Sequence, residues 1–231
     1  GGQAHALAMP LEDGDSLVQA ALAVAGGVDG IIHCAGIIRD SSIAKLEQSH
    51  WDSVLNLHLT VAYQMAKSVW PFFRQQNFGR LVFVSSAAGL SGNFGQANYA
   101  AAKIGLYGLC NTLAIEGQKY GIGVNALAPW GATDMNRAQM DDKLRSRVRA
   151  EQVAPLAAYL CHPDCTESGS LFEAGAGSFM KLRWERSDGL ALRSAENPSI
   201  DDIAAGWHQL TDFSTSEHPQ NISEGLLGLL D

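Results

Sequence analysis

Apolar residues recur along this chain in two rhythms: short unbroken runs, and longer stretches at helical spacing. Leu17 to Ala25 is rich in alanine, leucine and valine and predicts a helix, which Gly26-Gly27 ends. Asp29 to Gly36 is a brief apolar run closed by small residues, the mark of a buried parallel strand. Between Ser49 and Phe73, the residues Trp51, Val54, Leu55, Leu59, Ala62, Tyr63, Ala66 and Val69 fall at helical spacing. After Gly79-Arg80, Leu81 to Val84 predicts a second buried strand, ending in Ser85-Ser86. A glycine-rich loop is expected over Ala87 to Gln96. A long helix follows from Asn98 to Gln118, apolar nearly all round and so buried on several sides or against another subunit. Gly121 to Pro129 reads as a third strand running into a loop.

Strand, helix, strand, helix, strand implies an α/β fold: a doubly wound, Rossmann-like parallel sheet with right-handed crossovers. Sites in such sheets lie at the carboxyl ends of the strands. Here those ends are His33 to Gly36, Ser85-Ser86 and Pro129 to Met135, where the small and polar residues collect. Residues 136 to about 155 predict a polar, mobile helix, a solvated face or a lid over the site. From Glu151 the chain changes character, with Phe172, Phe179, Trp184, Trp207 and Phe213 among charged residues. The expected division is a core over residues 1–155, and an extension over 156–231 that packs on the core and at a dimer interface.

Composition narrows the classes. Of 231 residues, 46% are hydrophobic and 17% charged, enough apolar material for a sizeable core. Sixteen basic against 24 acidic residues give a net charge of -8, which disfavours nucleic acid or an anionic membrane as a partner. No apolar run approaches the roughly 18 residues of a membrane span, and no membrane insertion is expected. The first residues lack signal-peptide regions, and Leu229-Leu230-Asp231 is no peroxisomal address. Four cysteines are too few to staple a chain of this length, so a reducing compartment is expected. Cys161, His162 and Cys165 lack the spacing and the second pair of a zinc site; a helix-end loop explains them better, and no metal is expected.

Tyr99 and Lys103 lie four apart on one predicted helix and share a face. A tyrosine of ordinary pKa near 10 is a poor base at neutral pH, and a neighbouring ammonium lowers that pKa. Tyr99 can then exchange a proton with a substrate hydroxyl. Ser86, thirteen residues before Tyr99 at a strand end, can hydrogen-bond the reacting oxygen. Taken alone, a Tyr-x3-Lys pair on a helix is common and mostly structural. The strand ending in Ser-Ser and the small-residue loop and helix around it favour chemistry. Gly89-x2-Gly92-x2-Gly95 looks like a dinucleotide loop, but its spacing is wrong for one. Asn93, Phe94 and Gln96 lie between Ser86 and Tyr99, where they border a substrate pocket or form a purely structural loop.

The stretch from Leu81 to Lys103 resembles the short-chain dehydrogenase/reductase family, as do Asn125 to Met135 and Asp29 to Gly36. The resemblance puts the family's catalytic Ser, Tyr and Lys on Ser86, Tyr99 and Lys103, with His58 as a fourth site residue. It implies cofactor contacts from Ala35, Gly36, Tyr99, Lys103, Pro129, Trp130, Gly131 and Thr133. More narrowly, Gly92 to Asn98, Leu109 to Gly117, Val153 to Leu156, Gly169 to Gly177 and Lys181 to Arg186 are similar to the dehydrogenase region of the peroxisomal multifunctional type-two group. That similarity implies oxidation of a (3R)-hydroxyacyl-CoA to the 3-ketoacyl-CoA with NAD, NADP not excluded, and a dimer through the Tyr99 helix and the helix before it. It also implies the peroxisomal matrix if the source is eukaryotic, and the cytoplasm if bacterial.

The family's first βαβ unit, with its phosphate-binding glycine turn, is not in this sequence, and the expectation is a longer polypeptide that includes it. By alignment, Met9 stands where the family places an aspartate near the adenine. His33-Cys34 replaces Asn-Asn, His58 replaces an Asn, and Trp130 takes the place of a small glycine. Two alternatives stay open: a catalytically idle partner that dimerises with an active dehydrogenase, and a 3-ketoacyl-thioester reductase using the same triad in reverse. Arg183 to Arg186 either contacts coenzyme A phosphates or forms an amphipathic strand or interface.

Overall fold

The computed structural model describes residues 2–133, 140–193 and 197–230, which fall into two compact units, Gly1–Leu182 and Arg183–Asp231. The first unit is α/β. It runs α1 (Gly14–Ala25), β1 (Gly30–His33), α2 (Gln48–Leu55), α3 (Val61–Gln76), β2 (Gly79–Val84), α4 (Ala87–Ser91), α5 (Ala97–Gly117) and β3 (Ile122–Trp130). Then come α6 (Asp142–Arg147), α7 (Ala154–Leu160), β4 (Leu171–Gly175) and β5 (Ser178–Leu182). The five strands form one sheet in the order β1-β2-β3-β4-β5, parallel throughout except for the antiparallel β5 at one edge.

The unbroken apolar runs of β2 and β3 follow from burial on both faces of the sheet. Leu81, Phe83, Val124 and Ala126 point into one cluster with Phe73, Val69, Leu106 and Cys110 of α3 and α5. Val82 and Leu127, on the opposite face, pack with Val153, Leu160 and Cys165 of the α7 region. Helices on both sides make the sheet doubly wound, as the alternation of elements predicts. The structure also corrects that reading in four places.

The helix expected over Ser49 to Phe73 runs from Gln48 to Gln76, but a π-helical turn at Asn56–Thr60 interrupts it. The expected loop Ala87 to Gln96 begins as a short helix, because Ser86 caps it: the Ser86 hydroxyl accepts from the Ala88 amide at 3.2 Å. The polar helix expected over 136–155 is instead the short α6, a 3-10 turn at Ala150–Gln152, and α7, which restarts with Pro155 in its first turn. Positions 134–139 of that expectation, Asp134 and Met135 included, lie outside the described residues. Finally, β4 and β5 belong to the core sheet, so the first unit ends at Leu182, beyond the expected boundary at 155. Cys161 caps the end of α7, in the helix-end loop the sequence implies.

The second unit holds β6 (Arg186–Ser187) paired with β7 (Ser216–Glu217), α8 (Ile200–Ala205), α9 (Trp207–Leu210) and α10 (Ile222–Leu230). Arg186 ion-pairs with Glu217 at 2.5 Å and donates to the Gly225 carbonyl at 2.8 Å. Glu185 accepts from Ser216. Of the Arg183–Arg186 segment, Arg186 enters this small strand pair.

Phe73 has no solvent exposure and lies so close to Gly79 that a Cβ there would meet its ring at 2.2 Å. Phe73→Ala is expected to cost about 3–5 kcal/mol. Urea denaturation checks it, and a loss below about 1 kcal/mol would contradict the packing.

Candidate active site

The carboxyl ends of β1, β2 and β3 deliver His33, Ser85-Ser86 and Trp130 to one edge of the sheet, and α5 returns Tyr99 and Lys103 to the same edge. Three contacts seat the start of α5. Ser85 Oγ donates to the Lys103 carbonyl at 2.7 Å. Asn98 Oδ1 accepts from the Tyr99 amide at 2.8 Å, while its Nδ2 donates to the Arg39 carbonyl at 3.1 Å and the His50 carbonyl at 3.3 Å. Gly89 lets α4 press on α5, since a Cβ there would meet the Ile104 amide nitrogen at 2.9 Å. Sequence reasoning missed Ser85 and Asn98. Their only signals are the doubled serine and the asparagine directly before the tyrosine.

Lys103 is 3% exposed. Its Nζ donates to the Val84 carbonyl at 2.6 Å and stands 5.5 Å from the Tyr99 ring centroid. Burial pushes its pKa down to about 8. Tyr99 is half-buried, and that burial raises its pKa; a hydrogen bond with Ser86 opposes the rise, and the charge of Asp40 adds to it. The depression expected from Lys103 is not among the causes of this shift. Desolvation dominates, and the ammonium is drawn to a backbone carbonyl at the end of β2.

His58, 1% exposed, sits in the π-turn, a form of helix that recurs at functional sites. Its ring meets Tyr99 edge-on at 5.1 Å between centroids. Its Nε2 lies 3.0 Å from the Ile37 amide nitrogen and 2.8 Å from the Ile37 carbonyl, while Nδ1 has no hydrogen-bond partner. Gly36 presses against the ring: a Cβ there would lie 2.0 Å from Cε1. Burial, then the charge of Lys103, pushes the His58 pKa down to about 4. His33, 3% exposed, reaches the His58 carbonyl with Nε2 at 3.1 Å, and burial and Lys103 lower its pKa too.

The 93–96 loop is strapped to the segment after Gly36. Gln96 Nε2 donates to Asp40 at 2.9 Å and its Oε1 accepts from Asn93 Nδ2 at 2.9 Å, while the Ser41 amide donates to the Gly95 carbonyl at 2.8 Å. Phe94 stands 89% exposed at the tip. Gln96 is buried and so reads as structural, whereas Phe94 is free to meet a ligand. On β3, Trp130 is 46% exposed and donates from Nε1 to Glu173 at 2.6 Å, which ties it across to β4. Pro129, Gly131 and Thr133 follow along the same edge, and Ala35 is half-buried beside Gly36.

The model of the short chain dehydrogenase family matches residues 1–144, more than half of the chain. The chain belongs to the short-chain dehydrogenase family. This short-chain dehydrogenase is 41% identical over 232 residues to the peroxisomal multifunctional enzyme type 2 of Mus musculus, an alignment covering 100% of this chain and 32% of that protein. The chain thus spans about a third of that relative's length. It is 33% identical over 180 residues to an acetoacetyl-CoA reductase of Allochromatium vinosum, covering 73% of each. The full-length peroxisomal multifunctional enzyme type 2 from Drosophila melanogaster shares its fold at a TM-score of 0.87 and 34% identity, covering 100% of this chain and 41% of that one. It is thus an oxidoreductase of the short-chain dehydrogenase family, related to peroxisomal multifunctional enzymes and to acetoacetyl-CoA reductases. No helix of the described residues is long and apolar enough to cross a membrane.

Among the described residues, no group of three His, Cys, Asp or Glu side chains could hold a metal ion. The buried imidazoles make stability depend on pH. A folded-state pKa depressed from 6.5 to about 4 means that the unfolded chain binds protons that folded His58 refuses. That contribution to stability is present above about pH 6.5 and fades as pH falls toward about 4. The urea midpoint is expected to fall between those pH values, and to fall less in His58→Asn. An unchanged slope in the variant would contradict the assignment.

Proposed function

We propose that this chain oxidises the 3-hydroxyl of a (3R)-hydroxyacyl-CoA to the 3-ketoacyl-CoA, with NAD as the electron acceptor. The observation that carries the reading is the meeting of Ser86, Tyr99 and Lys103 at the carboxyl edge of the parallel sheet. The substrate class rests on relatives named for acetoacetyl-CoA reduction and for peroxisomal multifunctional chemistry.

The donor set suits a nicotinamide nucleotide. Lys103 keeps two N–H bonds beyond the one spent on Val84, and Tyr99 offers a hydroxyl. Ala35 and Gly36 present at most a methyl group to a neighbouring ring, and the Pro129, Trp130, Gly131 and Thr133 edge lies alongside. When bound, the nicotinamide accepts the hydride from the carbon that bears the hydroxyl.

The protein handles the proton. Ser86 has its oxygen held by the Ala88 amide and its hydroxyl bonded to Tyr99, from which it turns to donate to the substrate oxygen. Tyr99 takes the hydroxyl proton once its own has left, in a phenolate form that burial disfavours and that the Lys103 ammonium steadies. Neutral His58, edge-on to Tyr99, extends the path inward. Phe94, exposed at the tip of its loop, contacts the acyl chain, with Asn93 beside it and Gln96 as its anchor. Run in reverse, the same residues reduce a 3-ketoacyl thioester, which the reductase relative favours as a second reading.

The protein works as a homodimer through α3 and α5 in this proposal. A cavity of about 860 Å³ between the two helices is lined by Tyr63, Trp70, Leu109 and Leu113, and Tyr63 and Ile115 are exposed. In a eukaryote the proposed location is the peroxisomal matrix.

The test is turnover of (3R)- and (3S)-hydroxyacyl-CoA by the full-length protein with NAD and with NADP. The (3R) substrate with NAD is expected to react. Tyr99→Phe is expected to lower kcat by about 10²–10⁴-fold, with KM within about threefold. A fully active Tyr99→Phe enzyme, or turnover of the (3S) epimer alone, would contradict the reading.

A further inference from the structure

Three successive residues after β1 hold the loop that leads into α5. The Arg39 carbonyl accepts from Asn98 at 3.1 Å, an Asp40 carboxylate oxygen accepts from Gln96 Nε2 at 2.9 Å, and the Ser41 amide donates to the Gly95 carbonyl at 2.8 Å. Of these three bonds, only that of Asp40 comes from a side chain of the segment. The held loop turns at Gly92 and Gly95, both in the left-handed region with φ of 75° and 78°, and it presents Asn93 and Phe94 to solvent.

A carboxylate only accepts, so Asp40 decides which way the Gln96 amide faces. Gln96, 6% exposed, turns its NH2 group to Asp40 and its Oε1 to the other side, where it accepts from Asn93 Nδ2 at 2.9 Å. Asn93 thereby spends an N–H inward. Its own Oδ1 has no hydrogen-bond partner among the described residues. With a neutral amide in place of Asp40, the chain could run in either direction, because an amide both donates and accepts. Asp40 gives it one direction, and the exposed end beside Phe94 is then an acceptor.

We propose that Asp40 is a positioning residue for the substrate: acting through Gln96, it holds Asn93 with Oδ1 outward, where that oxygen accepts from an amide N–H of the substrate's thioester arm. The occupant rests on the CoA-thioester reading of the site; the direction of the chain does not. A coenzyme A thioester carries amide N–H groups along its pantetheine arm, and a simple alkyl thioester carries none. The reacting hydroxyl is already met by Ser86 and Tyr99 in the proposed reaction, which leaves the arm's amides as the donors for Asn93.

The test compares (3R)-hydroxybutyryl-CoA with the S-ethyl thioester of the same acid, using the full-length protein. Asn93→Ala and Asp40→Leu are each expected to raise KM for the CoA thioester by about three- to tenfold, the effect of one hydrogen bond, with kcat within about twofold. On the S-ethyl thioester, Asn93→Ala is expected to change kcat/KM by less than about twofold. The double variant is expected to lose no more than either single one, because both act on the same bond. Asp40→Asn keeps an acceptor in place and is expected to stay within about twofold of the parent. A readout without turnover comes from ¹⁵N-glutamine labelling. The Gln96 side-chain amide signals, assigned by their absence in Gln96→Ala, are expected to shift in Asp40→Leu and to stay near their parent positions in Asp40→Asn. If Asp40→Leu does not fold, Asn93→Ala, which truncates an exposed side chain, decides the matter on the two thioesters. An unchanged KM for the CoA thioester in Asn93→Ala, an equal loss on both thioesters, or unmoved Gln96 signals in a folded Asp40→Leu protein overturns the proposal. If the signals move while the parent turns over neither thioester, the directed chain stands and the dehydrogenase reading falls.

Discussion

A lysine ammonium buried with no carboxylate beside it constrains the rest of this structure. Lys103 finds its hydrogen-bond acceptor in the backbone, at the Val84 carbonyl, which β2 presents only because the strand ends there. Everything near the ammonium must then be neutral or an acceptor. His33 and His58 meet that demand as uncharged imidazoles, and Tyr99 meets it as a half-buried phenol tied to Ser86. Burying a charge this way is costly unless something uses it, and a pKa drawn down to about 8 is a common sign of a working site.

The sheet makes this burial possible. With helices on both faces, β2 and β3 are apolar along their length and turn polar only at their carboxyl ends. There, Ser85 grips the backbone of Lys103 while Ser86 caps α4 and faces Tyr99. The two adjacent serines thus divide the work, one holding the helix and the other, in the proposed reaction, meeting the substrate oxygen. Asn98, immediately before the tyrosine, fastens the helix start to two other segments, so three neighbouring side chains fix where Tyr99 stands.

Much of this was legible in the sequence because hydrophobic period and strand-end chemistry are local. The runs at Asp29–Gly36, Leu81–Val84 and Gly121–Pro129 became β1, β2 and β3, and the long alanine-rich helix became α5. The elements that escaped depend on distant partners. The π-turn leaves no mark in the apolar spacing around Leu55 and Leu59, and the His33 ring that reaches its His58 carbonyl comes from another strand. The membership of β4 and β5 in the core sheet is set by pairing with β3 and with each other. Tyr99 and Lys103 could be placed on one helix face from their spacing. The rise of the Tyr99 pKa could not, since it follows from burial that spacing alone does not report.

The most direct measurement of the central claim is calorimetric titration of NAD into the folded full-length protein and into Lys103→Met. If the buried ammonium serves a nicotinamide nucleotide, the parent binds NAD with a measurable heat and the variant binds at least about tenfold more weakly, a loss of about 1.4 kcal/mol. A folded parent that takes up no NAD, or a variant that binds it as well as the parent, would contradict the account and leave the chain as an idle partner of an active dehydrogenase.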